Sequence, residues 1–151
     1  MPITLALVRH GRADGQGPEA ELLPEGAGYV ATLGRRLHRE RFVPDVALSS
    51  PYLRARESLR ILLGELGSDL LPRQLPALTP EHDPERTLDA LLEIAPASGT
   101  VLVVTHMPLV ARLADELTGE VVDFHPGTFA EIQLTGDRRG WLARRIGPED
   151  L

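Results

Sequence analysis

The stretch "GTVLVVTH", residues 99–106, constrains the fold more than any other. It is an unbroken apolar run, rich in β-branched side chains and of strand length. Such a strand is buried on both faces and belongs in the middle of a largely parallel sheet. Covering both faces takes helices in two layers, and the rest of the chain supplies them. A first strand is expected over Ile3–Arg9 and a helix from Pro24 to about Glu40, with Tyr29, Leu33 and Leu37 four apart on one face. "DVALSS" reads as a second strand and "YLRARESLRILLGEL" as an amphipathic helix. "RQLPAL" is a weak strand and "PERTLDALLEIA" a third helix. After the central run, "PLVARLADELTG" is a helix with Pro108 near its first turn and Gly119 past its end. "TFAEIQL" and "GWLARRIG" are expected as edge-like strands joined by a turn at "TGDRRG". Apolar strands alternating with helices predict an α/β fold, a three-layer α/β/α sandwich around a mostly parallel central sheet. One domain is expected over residues 1–151.

Composition narrows the function. The chain has no cysteine, which excludes disulfides, thiolate metal sites and cysteine nucleophiles. All 16 basic residues are arginine, so Schiff-base and P-loop lysines are excluded as well. With 22 acidic residues the net charge is −6, which argues against nonspecific nucleic-acid binding. No apolar run approaches the roughly 20 residues of a membrane span. "MPITLALVRHG" lacks the basic region and cleavage site of a signal peptide. A cytoplasmic location is expected.

In open α/β sheets, ligands bind beyond the carboxyl ends of the strands. Arg9 and His10 end the first strand, His106 ends the central one, and Arg54 follows the strand-end "SSP". Singly, each is most simply a solvated residue. Together they suit a phosphoryl group, whose charge calls for planar, multi-donor cations. A unit charge pair at 4 Å is worth about 1 kcal/mol in water and about 4 kcal/mol at an effective dielectric near 20, so a half-enclosed cluster selects a dianion where one exposed arginine cannot. With no cysteine, a histidine is a suitable nucleophile, one ring nitrogen held as a donor and the other free to attack phosphorus. Gly11, lacking a Cβ, lets a phosphate approach the backbone beside His10. A metal site built from His10, His82, Asp83, His106 and His125 is the rival reading. No helical ligand spacing supports it, and Arg9 would repel a cation beside His10. His125 in "DFHPGTF" reads as a loop residue near the rim, and His38 as surface.

"VRHG", "LSSPYLRARES" and "VLVVTHMPLV", in this order across nearly the whole chain, resemble the histidine phosphatase (phosphoglycerate mutase-like) superfamily. The compact length, "LTP" at 78–80, "SPYLRA" and "THMPLVARLADEL" are most similar to its SixA-type phosphohistidine phosphatases. The resemblance implies His10 as nucleophile and Arg9, Arg54 and His106 as the phosphate clamp. Arg56 is set aside because two residues along a helix turn about 200°. Two departures stand out. SixA-like members carry an "RPLT" stretch where this chain reads "AELLPEG", so an arginine and a helix-capping threonine are missing. The leaving-group acid of larger members falls near "LTPEHD", which offers Glu81 first and Asp83 next. A phosphohistidine leaves as an imidazole, with conjugate acid near pKa 6.5, and needs far less acid help than an alkoxide.

The resemblance thus implies a metal-independent phosphatase with no cofactor. Its expected substrate is a phosphorylated protein such as a histidine phosphotransfer domain, with no nucleic-acid or membrane partner and a monomer favoured. A small-molecule phosphomonoesterase on the same scaffold and a non-catalytic phospho-binding module are the alternatives.

Overall fold

The computed structural model describes residues 2–136 and 138–151. Six strands form one sheet: β1 (Ile3–Arg9), β2 (Val46–Ser49), β3 (Arg73–Gln74), β4 (Gly99–Thr105), β5 (Phe129–Gly136) and β6 (Arg139–Ile146), in the order β3-β2-β4-β1-β5-β6. Pairings from β3 to β1 are parallel, and those of β5 with β1 and β6 are antiparallel. The helices are α1 (Pro24–Arg39), α2 (Leu53–Leu66), α3 (Pro84–Ile94) and α4 (Leu109–Thr118).

Strand alternation explains the three layers. Leu5 and Leu7 of β1, with Val101 and Val103 of β4, pack in one core with α3 and α4. Ala6 and Val8, with Leu102 and Val104, pack in the other with α1 and α2. The central run is therefore buried on both sides from Val101 onward, as its composition requires.

Local chemistry sets the helix ends. Pro24 opens α1 with no side-chain cap at Leu23, in keeping with the missing capping threonine. Gly67 and Gly119 end α2 and α4 in the left-handed region, at φ 64° and 73°.

Two expectations need correction. β5 is not an edge strand: it lies between β1 and β6, its Phe129, Ala130 and Ile132 fully buried, and β6 takes the edge instead. A hairpin following a parallel sheet can insert its first strand beside β1 because antiparallel neighbours need no crossover. The weak strand at "RQLPAL" shrinks to Arg73–Gln74, and Pro76 turns the rest into a single 3-10 turn, Pro76–Leu78. Asp137, within the turn expected at "TGDRRG", lies outside the described residues. No helix among the described residues is long and apolar enough to cross a membrane.

Candidate active site

Parallel register puts two histidines side by side. Arg9 pairs with Thr105, so the next residues along each strand, His10 and His106, emerge as neighbours. Their ring centroids are 4.9 Å apart, edge to face. The chain from β1 enters the α1/α2 layer and that from β4 enters the α3/α4 layer, so the two strand ends part at this point and open a crevice.

Backbone bonds fix the strand end. His10 N–H donates to the Thr105 carbonyl at 3.0 Å and Arg9 N–H to the Thr128 carbonyl at 3.0 Å. Gly127, at φ 83°, donates its N–H to the carbonyls of both Arg9 and His10. The Tyr29 ring fills the space where a Cβ of Gly127 would stand.

The protonation of His10 follows from its partners. Nδ1 lies 2.7 Å from the Gly11 carbonyl, which can only accept, so Nδ1 carries the hydrogen. Nε2 then holds a lone pair, and Arg54 Nε donates to it at 3.2 Å. Burial, reinforced by the charges of Arg54 and Arg9, pushes the ring down to about 4 despite the opposing pull of the Gly11 bond. His10 is thus neutral at pH 7, with the Nε2 lone pair turned toward Arg54.

Around it stand fixed cations. Arg9 is anchored by Nη1 donating to the Phe124 carbonyl at 2.8 Å, and its buried Nε has no hydrogen-bond partner among the described residues. Arg54, in the first turn of α2, is 6% exposed and donates from Nη1 to the Gly17 carbonyl at 2.7 Å. Burial lowers the pKa of both arginines, and for Arg9 the charge of Arg54 adds to it. Among the described residues neither pairs with a carboxylate, so their charges are uncompensated within the protein. His106 is pushed down to about 3, first by burial and then by His10, Arg54 and Arg9.

These four side chains line a cleft of 510 Å³ with Arg12, Tyr52 and Glu81 among its other walls. Glu81 is the only acidic side chain at the cleft among the described residues. A chain of net charge −6 has gathered three arginines around one crevice, an arrangement suited to an oxyanion.

The cleft includes some of the residues anticipated from sequence and leaves out others. Arg9, His10, Arg54, His106 and Glu81 come together in it. Asp83 does not: it precedes α3, and its carbonyl accepts from the N–H and hydroxyl of Thr87. Arg56 binds the Pro51 carbonyl through Nε and is not part of the cleft. His125 lines a neighbouring cavity of 310 Å³, which shares Arg12 and Pro126 with the cleft. His38 is exposed on α1, and among the described residues no three His, Asp or Glu side chains converge as metal ligands.

Gly11 has a packing role that the sequence reading did not anticipate. It is absent from the cleft wall, and a Cβ there would stand 2.9 Å from both the Gly26 carbonyl oxygen and Val30 Cγ2. The glycine lets the loop pack against the start of α1, while its N–H donates to Ser58 and its carbonyl orients His10. Sequence reading overlooked Arg12, Tyr52 and Ser50. Arg12 follows "RHG" directly, and this position was its one available signal. Tyr52 packs edge-on to His106 at 4.9 Å, with Arg54 over its ring at 5.0 Å.

Known proteins resemble this chain in sequence and in fold. A 2,3-bisphosphoglycerate-dependent phosphoglycerate mutase of Beijerinckia indica is 33% identical over 75 residues, 45% of this chain and 36% of that protein. A SixA homolog of Haemophilus influenzae, described as a phosphohistidine phosphatase, is 29% identical over 110 residues, 69% of this chain and 66% of its own length. The chain thus spans well under half of the mutase and about two thirds of the SixA homolog. The solved structure of the protein histidine phosphatase SixA complexed with tungstate superposes with a TM-score of 0.90 at 25% identity, covering 97% of this chain and 98% of that one. Residues 5–81, which include "VRHG", "SPYLRA" and Glu81, match the profile of the histidine phosphatase superfamily (branch 1), and the chain belongs to that family.

Proposed function

We propose that the protein is a metal-independent phosphohistidine phosphatase acting through a covalent intermediate on His10. The observation that carries this reading is the neutral His10, its Nδ1–H held by the Gly11 carbonyl and its Nε2 lone pair set among Arg9, Arg54 and His106.

In the first step Nε2 of His10 attacks phosphorus. The Nε2–P bond forms as the substrate's P–N bond breaks, and the departing imidazole takes up a proton. Arg9 and Arg54, through their positive charge and N–H groups, and the neutral His106, through a ring N–H, hold the three phosphoryl oxygens and offset their negative charge. In the second step water attacks phosphorus, the Nε2–P bond breaks, and inorganic phosphate leaves with His10 restored. Glu81, which lines the same cleft, is assigned the role of giving a proton to the leaving group and taking one from the water. An imidazole departs with little help, so Glu81 matters more for phosphate esters than for phosphohistidine.

Support for an oxyanion site comes from the relative solved with tungstate, a tetrahedral oxyanion. Support for a protein substrate comes from the SixA-like fold and from a cleft reached across exposed loop residues at 15–16 and 81.

The test is phosphate release from a phosphorylated histidine phosphotransfer domain, compared with p-nitrophenyl phosphate and 3-phosphoglycerate, in EDTA. Preference for the phosphoprotein supports the proposal. Preference for a small ester replaces it with a metabolite phosphatase, and tight binding without release replaces it with a phospho-binding module.

A further inference from the structure

Ser50 directly follows β2 and is fully buried, and its hydroxyl oxygen lies 2.6 Å from His106 Nε2. The same oxygen accepts the N–H of Tyr52 at 3.1 Å. We infer that Ser50 is a positioning residue that holds His106 as the Nδ1–H tautomer, so that this ring meets a phosphoryl oxygen with a hydrogen-bond donor. The inference rests on the cleft being a phosphoryl site.

Hydrogen-bond accounting decides the direction. A serine hydroxyl has one hydrogen and two lone pairs. One lone pair is taken by the Tyr52 N–H, and the only other polar contact of the hydroxyl among the described residues is His106 Nε2. If Nε2 carried the ring hydrogen, it would donate to Ser50, and the serine hydrogen would be buried with no acceptor. Nδ1 has no partner among the described residues in either tautomer, so the serine hydrogen decides. If Ser50 donates to Nε2 instead, the hydroxyl is fully satisfied, and the ring hydrogen sits on Nδ1, the one ring nitrogen with no partner among the described residues. Leaving a buried hydroxyl unpaired costs about 1–3 kcal/mol, which sets the preference.

The chemistry favours the same tautomer. A lone pair on Nδ1 would repel a phosphoryl oxygen, whereas an N–H attracts it. A protonated ring would donate from both nitrogens, but burial beside two arginines keeps His106 neutral. The serine thus lets a neutral ring act as an oxyanion donor without adding a third buried cation. Its own place is fixed by the backbone: Ser50 N–H donates to the Val104 carbonyl, and its carbonyl accepts the Ser49 hydroxyl.

The ring tautomer is measurable without turnover. In protein carrying 15N-labelled histidine, with His106 assigned by the signal lost in His106→Gln, the wild type at neutral pH is expected to show a protonated Nδ1 and a hydrogen-bonded, unprotonated Nε2. Ser50→Ala is expected to shift the ring toward Nε2–H and to weaken inorganic phosphate binding and kcat/KM by about 10- to 100-fold. Ser50→Thr, which keeps the hydroxyl, is expected to restore both. A wild-type ring protonated at Nε2 overturns the inference even if Ser50→Ala fails to fold. So does a Ser50→Ala protein with tautomer and phosphate affinity unchanged. If the wild type releases no phosphate from any substrate, the reading of the cleft as a phosphatase fails, while the tautomer still decides the role of Ser50.

Discussion

Arg54 Nε donates to His10 Nε2 at 3.2 Å, so the atom proposed to attack phosphorus is already occupied by a group proposed to bind the phosphoryl oxygens. This bond needs a lone pair on Nε2 and therefore holds His10 neutral. Under the proposed mechanism, the oxygens of an arriving phosphoryl group offer Arg54 stronger, charge-assisted acceptors than a neutral ring nitrogen, and the lone pair is released toward phosphorus.

Arg54→Ala tests this exchange. Loss of one charge-assisted contact is expected to weaken vanadate or phosphate binding about 10-fold or more, measured by inhibition or calorimetry. The His10 pKa is expected to rise, since Arg54 is one of the charges holding it down, and a histidine NMR titration reads this directly. Unchanged oxyanion affinity would remove Arg54 from the clamp.

Stability should depend on acid in a defined window. His10 and His106 are held at about 4 and about 3, against about 6.5 in an unfolded chain. Below about 6.5 the unfolded chain binds protons that the folded rings refuse, so stability is full above that pH and falls as acid is added. Each ring contributes a slope approaching about 1.4 kcal/mol per pH unit, best read between about pH 6 and 5, before most carboxylates titrate. Urea unfolding across this window should show the slope reduced in His10→Asn by one ring's share. An unaltered slope would mean that His10 is not held neutral.

Glu81→Gln is expected to act selectively. If Glu81 protonates the leaving group, release from an alkyl phosphate such as 3-phosphoglycerate, whose leaving group departs as an alkoxide, should fall more than release from phosphohistidine. For an alkyl ester the loss is expected to reach about 100-fold, the lower end for general acid catalysis. Asp83→Asn, outside the cleft, should leave both rates unchanged. Equal losses on both substrates would assign Glu81 to binding.

Gly11→Ala should destabilise the fold by about 1–3 kcal/mol, read from urea unfolding, because the new Cβ meets a backbone carbonyl that cannot step aside. A neutral result would mean that the loop yields and that the glycine serves another purpose.

What sequence could foretell depended on whether a property was local. The β1 and β4 strands were legible because burial on both faces demands an unbroken apolar run. Arg9, His10, Arg54 and His106 were legible because strand carboxyl ends in such a sheet share one rim. The inward position of β5 was not, since an inner antiparallel strand and an edge strand have similar patterns. Nor was the reason for Gly11, because its neighbour Gly26 is remote in sequence and meets it only once α1 has packed. Ser50 was hidden for the same reason: its partner His106 follows another strand, 56 residues away.

The central claim is that phosphorus passes through His10. The most direct measurement is acid-labile phosphoenzyme, trapped by rapid denaturation during turnover of a phosphorylated histidine phosphotransfer domain and located by mass spectrometry and 31P NMR. A phosphoryl group on Nε2 of His10, absent from His10→Ala, is the predicted result. Phosphate release by the wild type with no such intermediate, or continued turnover by His10→Ala, would contradict the account.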